Sequence, residues 1–561
     1  MNMRTTTRFT LRPLAAILGV VPAIAMAQFQ LDKQDLRSAL DVSPAAGAAI
    51  ASSGSATGTG SPPRFGPNTQ VNDPQAGFPN GLFGRSETTI ATSTNGSKLV
   101  AGWNDAQGFC GAPFGAGCTP LARPGLSGYG YSSDGGLTWV DGGAPTVFGN
   151  AITRGDPWMD SGGANANTIY FANLAVDKTT AAALGIVVHR GRFTGNTFAW
   201  TDEHIFDSPA NALVPDSDFY DKEALAASKD GSKAVYVSLT NFQELCGFAQ
   251  NGFGQIEVWS SHDGGDTWHG PSIAGPEAPD SVADCGFTGT LQQSSVPAIG
   301  PNGEVYVVWQ YGPTFDALGA ASTNAAIVVA RSLDGGATFN PKVTVASINS
   351  MRQNPPVGYN RNRFNDHPRI AVATSGPQRG RIYVSFSSAV SPVASPPTVQ
   401  SLVSAQAYVS HSDDQGLTWS APTPIAPPVP ATGVKRFWSV VTAQPSGNVD
   451  VVYYESQEKQ ATADPTDQEC NRGGRRGLNS SLVDTWWTES IDGGATWRAP
   501  YKVSTATSNW CTTISNITPN FGDYIGSAGG ANRFIPVWAD GRNGVPDVFT
   551  ANGLGAGKSG K

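Results

Sequence analysis

One octapeptide recurs five times along this chain, and a fixed repeat of this kind restricts the fold to copies of a single unit. The copies are SSDGGLTW at Ser132 to Trp139, SHDGGDTW at Ser261 to Trp268, SLDGGATF at Ser332 to Phe339, SDDQGLTW at Ser412 to Trp419 and SIDGGATW at Ser490 to Trp497. The residue types are those of a tight β-turn. Ser and Asp side chains bond the local backbone, Gly accepts a positive φ, and Thr followed by an aromatic opens the next strand. The terminal Trp or Phe is sized to plug the gap between neighbouring sheets. Every copy carries the same Asp, which points to scaffold, since an active site needs only one.

A second pattern runs in step with the first. Apolar segments LVAGW, VYVSL, VYVVW, IYVSF, VDVVY and FIPVW end at Trp103, Leu239, Trp309, Phe386, Tyr453 and Trp538, and TIYFAN ending at Asn173 fills the remaining gap. These seven markers lie 66 to 85 residues apart and follow tight turns such as Asn95-Gly96, Asp230-Gly231, Asn302-Gly303 and Ser446-Gly447. The unit is therefore strand, short turn, strand, long loop, strand, octapeptide, strand: a four-stranded propeller blade. The second unit has a worn octapeptide in which Gly195, Thr197 and Phe198 remain. The seventh stops after its third strand, PDVFTANG, and FGPNTQVN at Phe65 to Asn72 has the pattern to supply the fourth. An all-β, seven-bladed β-propeller closed by an N-terminal strand is expected over residues 64–555.

Arg4, Arg8 and Arg12, the apolar run Leu14 to Ile24 and then Ala25-Met26-Ala27 follow the plan of a signal peptide over 1–27, cleaved before Gln28. The apolar run is shorter than the ~20 residues of a membrane span. An exported protein is expected, periplasmic or secreted, monomeric and without an integral membrane segment. Residues 28–63 read as a flexible Ala/Ser/Gly-rich lead-in and 556–561 as a disordered tail. With 36 basic and 44 acidic residues, nucleic acid is not an expected partner. The even count of six cysteines in an exported chain predicts three disulfides. The local spacing gives Cys110–Cys118, and equivalent loops of the third and sixth units give Cys246–Cys285 and Cys470–Cys511.

In a closed meander the short turns and octapeptides share one face, and the long loops, among them 347–366 and 505–522, share the other. Ionisable residues concentrate where those loops enter the first strand of each unit: Arg85 and Glu87, Arg154 and Asp156, Asp221 with Lys222 and Glu223, Arg363 with Asp366 and Arg369, Lys435 and Arg436, and Asp523 with Tyr524. Arg forks bind carboxylates, and a carboxyl group near another charge can be tuned as an acid or base. From this set Arg85, Arg154, Asp221, Arg363, Asp366 and Arg436 are candidate substrate-binding residues for an anionic or polyhydroxylated ligand such as a glycan. Acidic loops could hold Ca²⁺, though no oxygen-ligand loop of recognisable spacing marks such a site, and no cofactor is called for.

The octapeptides resemble the Asp boxes of the sialidase-like superfamily, and the resemblance covers roughly residues 64 to 555. It implies a propeller, six-bladed in sialidases, and an exo-acting glycoside hydrolase for terminal sialic acid or another acidic sugar. Non-catalytic propellers carry the same boxes, so a glycan- or protein-binding module stands as the alternative. A polysaccharide lyase on this scaffold would want a His or Tyr base, and His367 alone among the histidines lies near a first-strand entrance. The resemblance implies an arginine triad, here Arg85, Arg363 and Arg436, with Asp156 as acid/base and Tyr524 as nucleophile beside Glu223 or Glu455. The diagnostic Arg-Ile-Pro segment is absent: Gly84-Arg85-Ser86-Glu87 keeps only the Arg.

Overall fold

The computed structural model describes residues 65–74, 82–110, 125–180, 182–208, 219–242, 254–275, 289–315, 322–361, 363–393, 401–459, 480–530 and 533–553. The expected leader, lead-in and tail lie outside them, as do Cys118, Cys246, Cys285, Cys470 and the side chain of Cys110. Cys511 is disulfide-bonded.

Antiparallel meanders build the described chain, and no α-helix occurs among the described residues. After β1 (Thr69–Gln70), the first sheet is β2 (Arg85–Thr92), β3 (Leu99–Asp105), β4 (Ser127–Ser132) and β5 (Val140–Gly143). The next holds β6 (Ala151–Thr153) and β7 (Trp158–Gly162), both paired with β8 (Thr168–Asp177), then β9 (Ala183–Thr194) and β10 (Thr197–Asp207). The third is β11 (Phe219–Ala227), β12 (Val235–Phe242), β13 (Gln255–Ser261) and β14 (His269–Ile273). The fourth is β15 (Gly289–Ile299), β16 (Val305–Phe315), β17 (Asn324–Ser332) and β18 (Val343–Asn349).

A nine-stranded sheet follows. It joins β19 (Arg369–Val372), β20 (Ile382–Ala389), β21 (Ala405–Ser412) and β22 (Thr423–Pro424) to β23 (Val434–Ala443), β24 (Val449–Lys459), β25 (Ser480–Ser490), β26 (Tyr501–Lys502) and β27 (Ser508–Asn509). The joint is a single parallel pair, Ala405 opposite Lys435. The last sheet is β28 (Gly526–Gly530), β29 (Arg533–Asp540) and β30 (Asp547–Thr550), with β1 on its outer edge, Thr69 opposite Thr550. The first strands β2, β7, β11, β15, β19, β23 and β28 adjoin one another in turn, and β28 adjoins β2. The arrangement is that of a β-propeller.

Each octapeptide folds into the same turn. Asp134, Asp263, Asp334, Asp414 and Asp492 each accept from the backbone N–H and the hydroxyl of the Thr four residues on. The leading Ser donates to the same Asp, and its oxygen accepts the N–H of the second Gly position. The closing aromatics do plug sheet junctions: Trp419, for example, packs against a core of Ile327 and Val329 from one sheet and Ile382 and Val384 from the next. Apolar residues of the second strands, such as Trp103, Val237, Val308 and Val451, are wholly buried in these junctions.

Candidate functional site

The first strands do not run straight into the ring. Register shifts interrupt them between Ser86 and Thr89, Asp221 and Ala224, Gln293 and Val296, and Phe437 and Val440. Within each shift one non-glycine residue has a left-handed backbone: Glu87 at φ 51°, Lys222 at 51°, Ser294 at 66° and Trp438 at 49°. Asp156, at φ 55°, takes the corresponding place ahead of β7. Such bulges re-aim side chains, and each left-handed residue costs roughly 1–3 kcal/mol. Here they accompany a convergence of Glu87, Asp156 and Lys222.

Lys222 lies at the centre of that convergence. Its ammonium bonds Asp156 and stands 3.0 Å from Asp523 Oδ2 and 3.7 Å from Glu87 Oε1. Asp523 is held from its other side by Arg361, and the Tyr359 hydroxyl donates to its Oδ1 at 3.0 Å. Asn104 donates to Glu87 Oε2 at 2.9 Å and accepts the Asp156 N–H at 3.1 Å. Tyr359 and Arg361 come from the loop after β18, which is pinned to the loop before β28. Asn520 N–H donates to Asn360 Oδ1 at 2.7 Å, and Asn360 Nδ2 donates to Ile517 O at 2.9 Å.

Tyr524 borders this network. Its hydroxyl donates to Pro157 O at 2.8 Å, and its ring lies 5.6 Å from that of Trp158 and 5.5 Å from His367. The Arg369 guanidinium sits 4.3 Å from the Trp158 ring and 5.1 Å from the Tyr524 ring. Arg369 is 5 % exposed, and among the described residues its side chain makes one long hydrogen bond, Nη2 to Ile525 O at 3.4 Å. Among the described residues, Arg369 Nη1 and both nitrogens of His367 lack hydrogen-bond partners, and neither oxygen of Glu223 bonds another residue. Buried polar atoms left in this state carry a desolvation cost that a ligand can recover.

Burial and charge sort the acids into two groups. Burial, reinforced by Asp156, holds the carboxyl groups of Glu87 and Glu223 well above the ordinary range. Burial pushes Asp523 the same way, but Arg361 and Lys222 outweigh it and keep that carboxyl well below normal. Burial disfavours the Lys222 ammonium, yet Asp156, Glu87 and Asp523 together raise its pKa. Burial and Arg369 depress His367 far enough to keep it neutral. Burial lowers Arg369 to about 9, so it stays a cation at neutral pH. Tyr524 is raised by burial and by Glu87, Asp156 and Glu223, so its phenol keeps its proton.

Of the residues singled out in the sequence, Asp156, Glu223 and Tyr524 come together here, with Arg363 half-buried and acting on Asp523. Asp221 is half-buried and accepts Gln293 Nε2 at 3.3 Å. Arg154 is half-buried, and its backbone N–H bonds Leu174 O. Asp366 instead braces the loop after β18: it accepts from Ser350 and from Met351 N–H at 2.7 Å, and burial lifts its pKa to about 6.

The three arginines of the implied triad have different surroundings, Arg363 acting on Asp523 as above. Arg85 is wholly buried, 3.4 Å from Asp547 and 3.6 Å from Asp105, at the seam between the first and last sheets. Arg436 pairs with Glu455 at 2.7 Å and donates to Gln406 Oε1 at 2.8 Å, which also takes Glu455 away from Tyr524. Both guanidinium groups face internal carboxylates, Arg436 at short range and Arg85 more loosely, with Arg85 Nε and Nη2 lacking hydrogen-bond partners among the described residues. Arg369, in contrast, is a buried cation with no carboxylate partner among the described residues. Lys222, Asp523 and Arg369 lay in segments already marked by charge. Arg361, Tyr359 and Trp158 carried no such signal, because a non-repetitive loop and an aromatic in a strand look ordinary in sequence.

No protein family and no curated protein matches this chain. Among solved structures, an α-L-arabinofuranosidase from Fusarium graminearum is 14 % identical with a TM-score of 0.42, covering 75 % of this chain and 98 % of that one. A Hadza microbial sialidase is 14 % identical with a TM-score of 0.40, covering 76 % and 74 %. A protein of unknown function from Dyadobacter fermentans is 14 % identical with a TM-score of 0.40, covering 69 % and 93 %. These glycosidase structures are propellers, and the likeness assigns no activity to this chain. No helix among the described residues is long and apolar enough to cross a membrane.

Proposed function

We propose that this chain is an exported, seven-bladed propeller that acts as a glycoside hydrolase on a glycan ending in an acidic sugar. The observation that carries the reading is the axial cluster. Carboxyl groups pushed well above the ordinary range (Glu87, Glu223) and one held well below it (Asp523) share this cluster, and beside it lies a buried guanidinium, Arg369, that feels Glu87 but has no carboxylate partner among the described residues. Carboxyl groups of opposed protonation in one site are what general acid and base catalysis of glycoside cleavage requires. An unpaired buried cation is costly unless an anion joins it, and a sugar carboxylate matches a guanidinium fork.

The blade count in this proposal takes the nine-stranded sheet as two blades joined at Ala405 and Lys435. Six apolar clusters centred on junctions between consecutive meanders, and a larger one reaching from β20 and β21 across β23–β25 to β29 and β30, support it. The pairing of β1 with β30 would then close the ring and leave the Asp boxes as scaffold on the opposite face.

The binding-module reading has one observation in its favour: the Tyr524 hydroxyl is spent on Pro157 O, with no carboxylate among the described residues accepting from it. Turnover assays on sialosides and other acidic glycosides, with Arg369→Met and Glu223→Gln as controls, separate the two. Hydrolysis lost in both variants supports the enzyme, and saturable binding without turnover supports the module.

A further inference from the structure

The bulge between Asp221 and Ala224 turns two consecutive side chains, Lys222 and Glu223, into the same axial cluster. Their surroundings differ. The Lys222 ammonium reaches acids from three other segments: Glu87 on β2, Asp156 ahead of β7 and Asp523 ahead of β28. Glu223, 2 % exposed, keeps both oxygens free of bonds to other residues.

We propose that Lys222 is a positioning residue that neutralises Asp156 and Asp523, and that Glu223, not Asp156, is thereby left as the group that gives a proton to the ligand. This rests on the hydrolase reading for its chemical step, although the charge arrangement does not. The direct ion pairs support it. Lys222 bonds Asp156 and stands 3.0 Å from Asp523, which Arg361 also holds, whereas it comes no nearer than 3.7 Å to Glu87 and Glu223 has no ion pair among the described residues. Burial then drives the two glutamates towards the neutral acid.

The groups facing Glu223 are Asp156, Asp221, Lys222 and Tyr524, and those facing Lys222 are Asp156, Glu87, Asp523, Asp221, Glu223 and His367. In the step, the Glu223 carboxyl protonates the glycosidic oxygen as its bond to the sugar carbon breaks, and the bonding electrons leave with that oxygen. Water then adds to the sugar carbon and returns one proton to the Glu223 carboxylate, so the acid is regenerated.

Infrared difference spectroscopy of the full chain at neutral pH tests the charge arrangement without needing turnover. The wild type should show protonated-carboxyl absorption that falls in Glu87→Gln and again in Glu223→Gln. Lys222→Met should enlarge it, because a carboxylate stripped of its ammonium takes up a proton, and Lys222→Arg should resemble the wild type. A wild type without that absorption overturns the proposal, as does a folded Lys222→Met protein with an unchanged band. If Lys222→Met does not fold, the two glutamine variants decide. Where hydrolysis is measurable, Lys222→Met should move the basic limb of the pH profile upward by about 1–3 units and Lys222→Arg should not. The predicted spectra without turnover would refute the hydrolase and leave the Lys222 role standing. Turnover with flat spectra would refute the role alone.

Discussion

Replacing Arg85 by Met should unfasten the seam between the first and last sheets. Arg85 is wholly buried and bridges Asp105 of β3 to Asp547 of β30. Asn72, just beyond β1, donates to Asp547 Oδ1 at 2.9 Å, and Asn543 donates to its other oxygen at 3.0 Å. Met fills much of the volume of the Arg stem but takes the guanidinium away from two buried carboxylates. Breaking a buried pair by removing one partner costs about 3–5 kcal/mol, most of it the uncompensated charge. Adding Asp547→Asn should recover part of that loss, since one buried carboxylate is removed and the Asn72 contact can persist. Urea unfolding followed by Trp fluorescence reads both steps as shifts of the midpoint. A single variant within about 1 kcal/mol of the wild type that instead loses ligand binding would refute the seam role and restore Arg85 to the ligand site.

Three further outcomes are expected. Bonds from the box threonines, overcoming burial at Asp134, hold Asp134, Asp334, Asp414 and Asp492 at about 2. Their folded values lie below the unfolded value near ~4, so their stabilisation is present above that pH and lost as pH falls from about 4 towards 2; Asp414→Asn should shallow the acid limb of a melting profile. Burial raises Asp366 to about 6 and Asp450 to about 7, the opposite sense. Stability from these two is present below ~4 and lost as pH rises to about 7, so the melting temperature should be higher at pH 5 than at pH 8, with a smaller difference in Asp450→Asn. Arg369→Met should melt no lower than the wild type, because it removes an unpaired buried cation; a drop of several degrees would show a structural partner at work.

The scaffold was legible because its signals are local. A box turn is made by bonds within five residues, and the second-strand markers fall in strands whose pairing the turns dictate. Within the FGPNTQVN segment, β1 lies beside β30. Side-chain direction was not legible. Charge placed Arg85 and Glu87 in one group, yet the register shift between Ser86 and Thr89 sends Glu87 to Lys222 while Arg85 stays at the seam. Arg436 and Glu455 are directly opposed on β23 and β24, so a residue-level register would have revealed their pairing in advance. Arg361 and Tyr359 reach the cluster through a loop without a repeat, where spacing carries no positional information.

The central claim is that an acidic sugar completes the charge around Arg369 in a site acidified by Glu223. Calorimetric titration of the full chain with a panel of acidic and neutral monosaccharides measures this most directly. Binding confined to the acidic sugars, abolished by Arg369→Met and retained in Asp414→Asn, is the predicted result. Equal affinity for neutral sugars, or acidic-sugar binding that survives Arg369→Met, would contradict it.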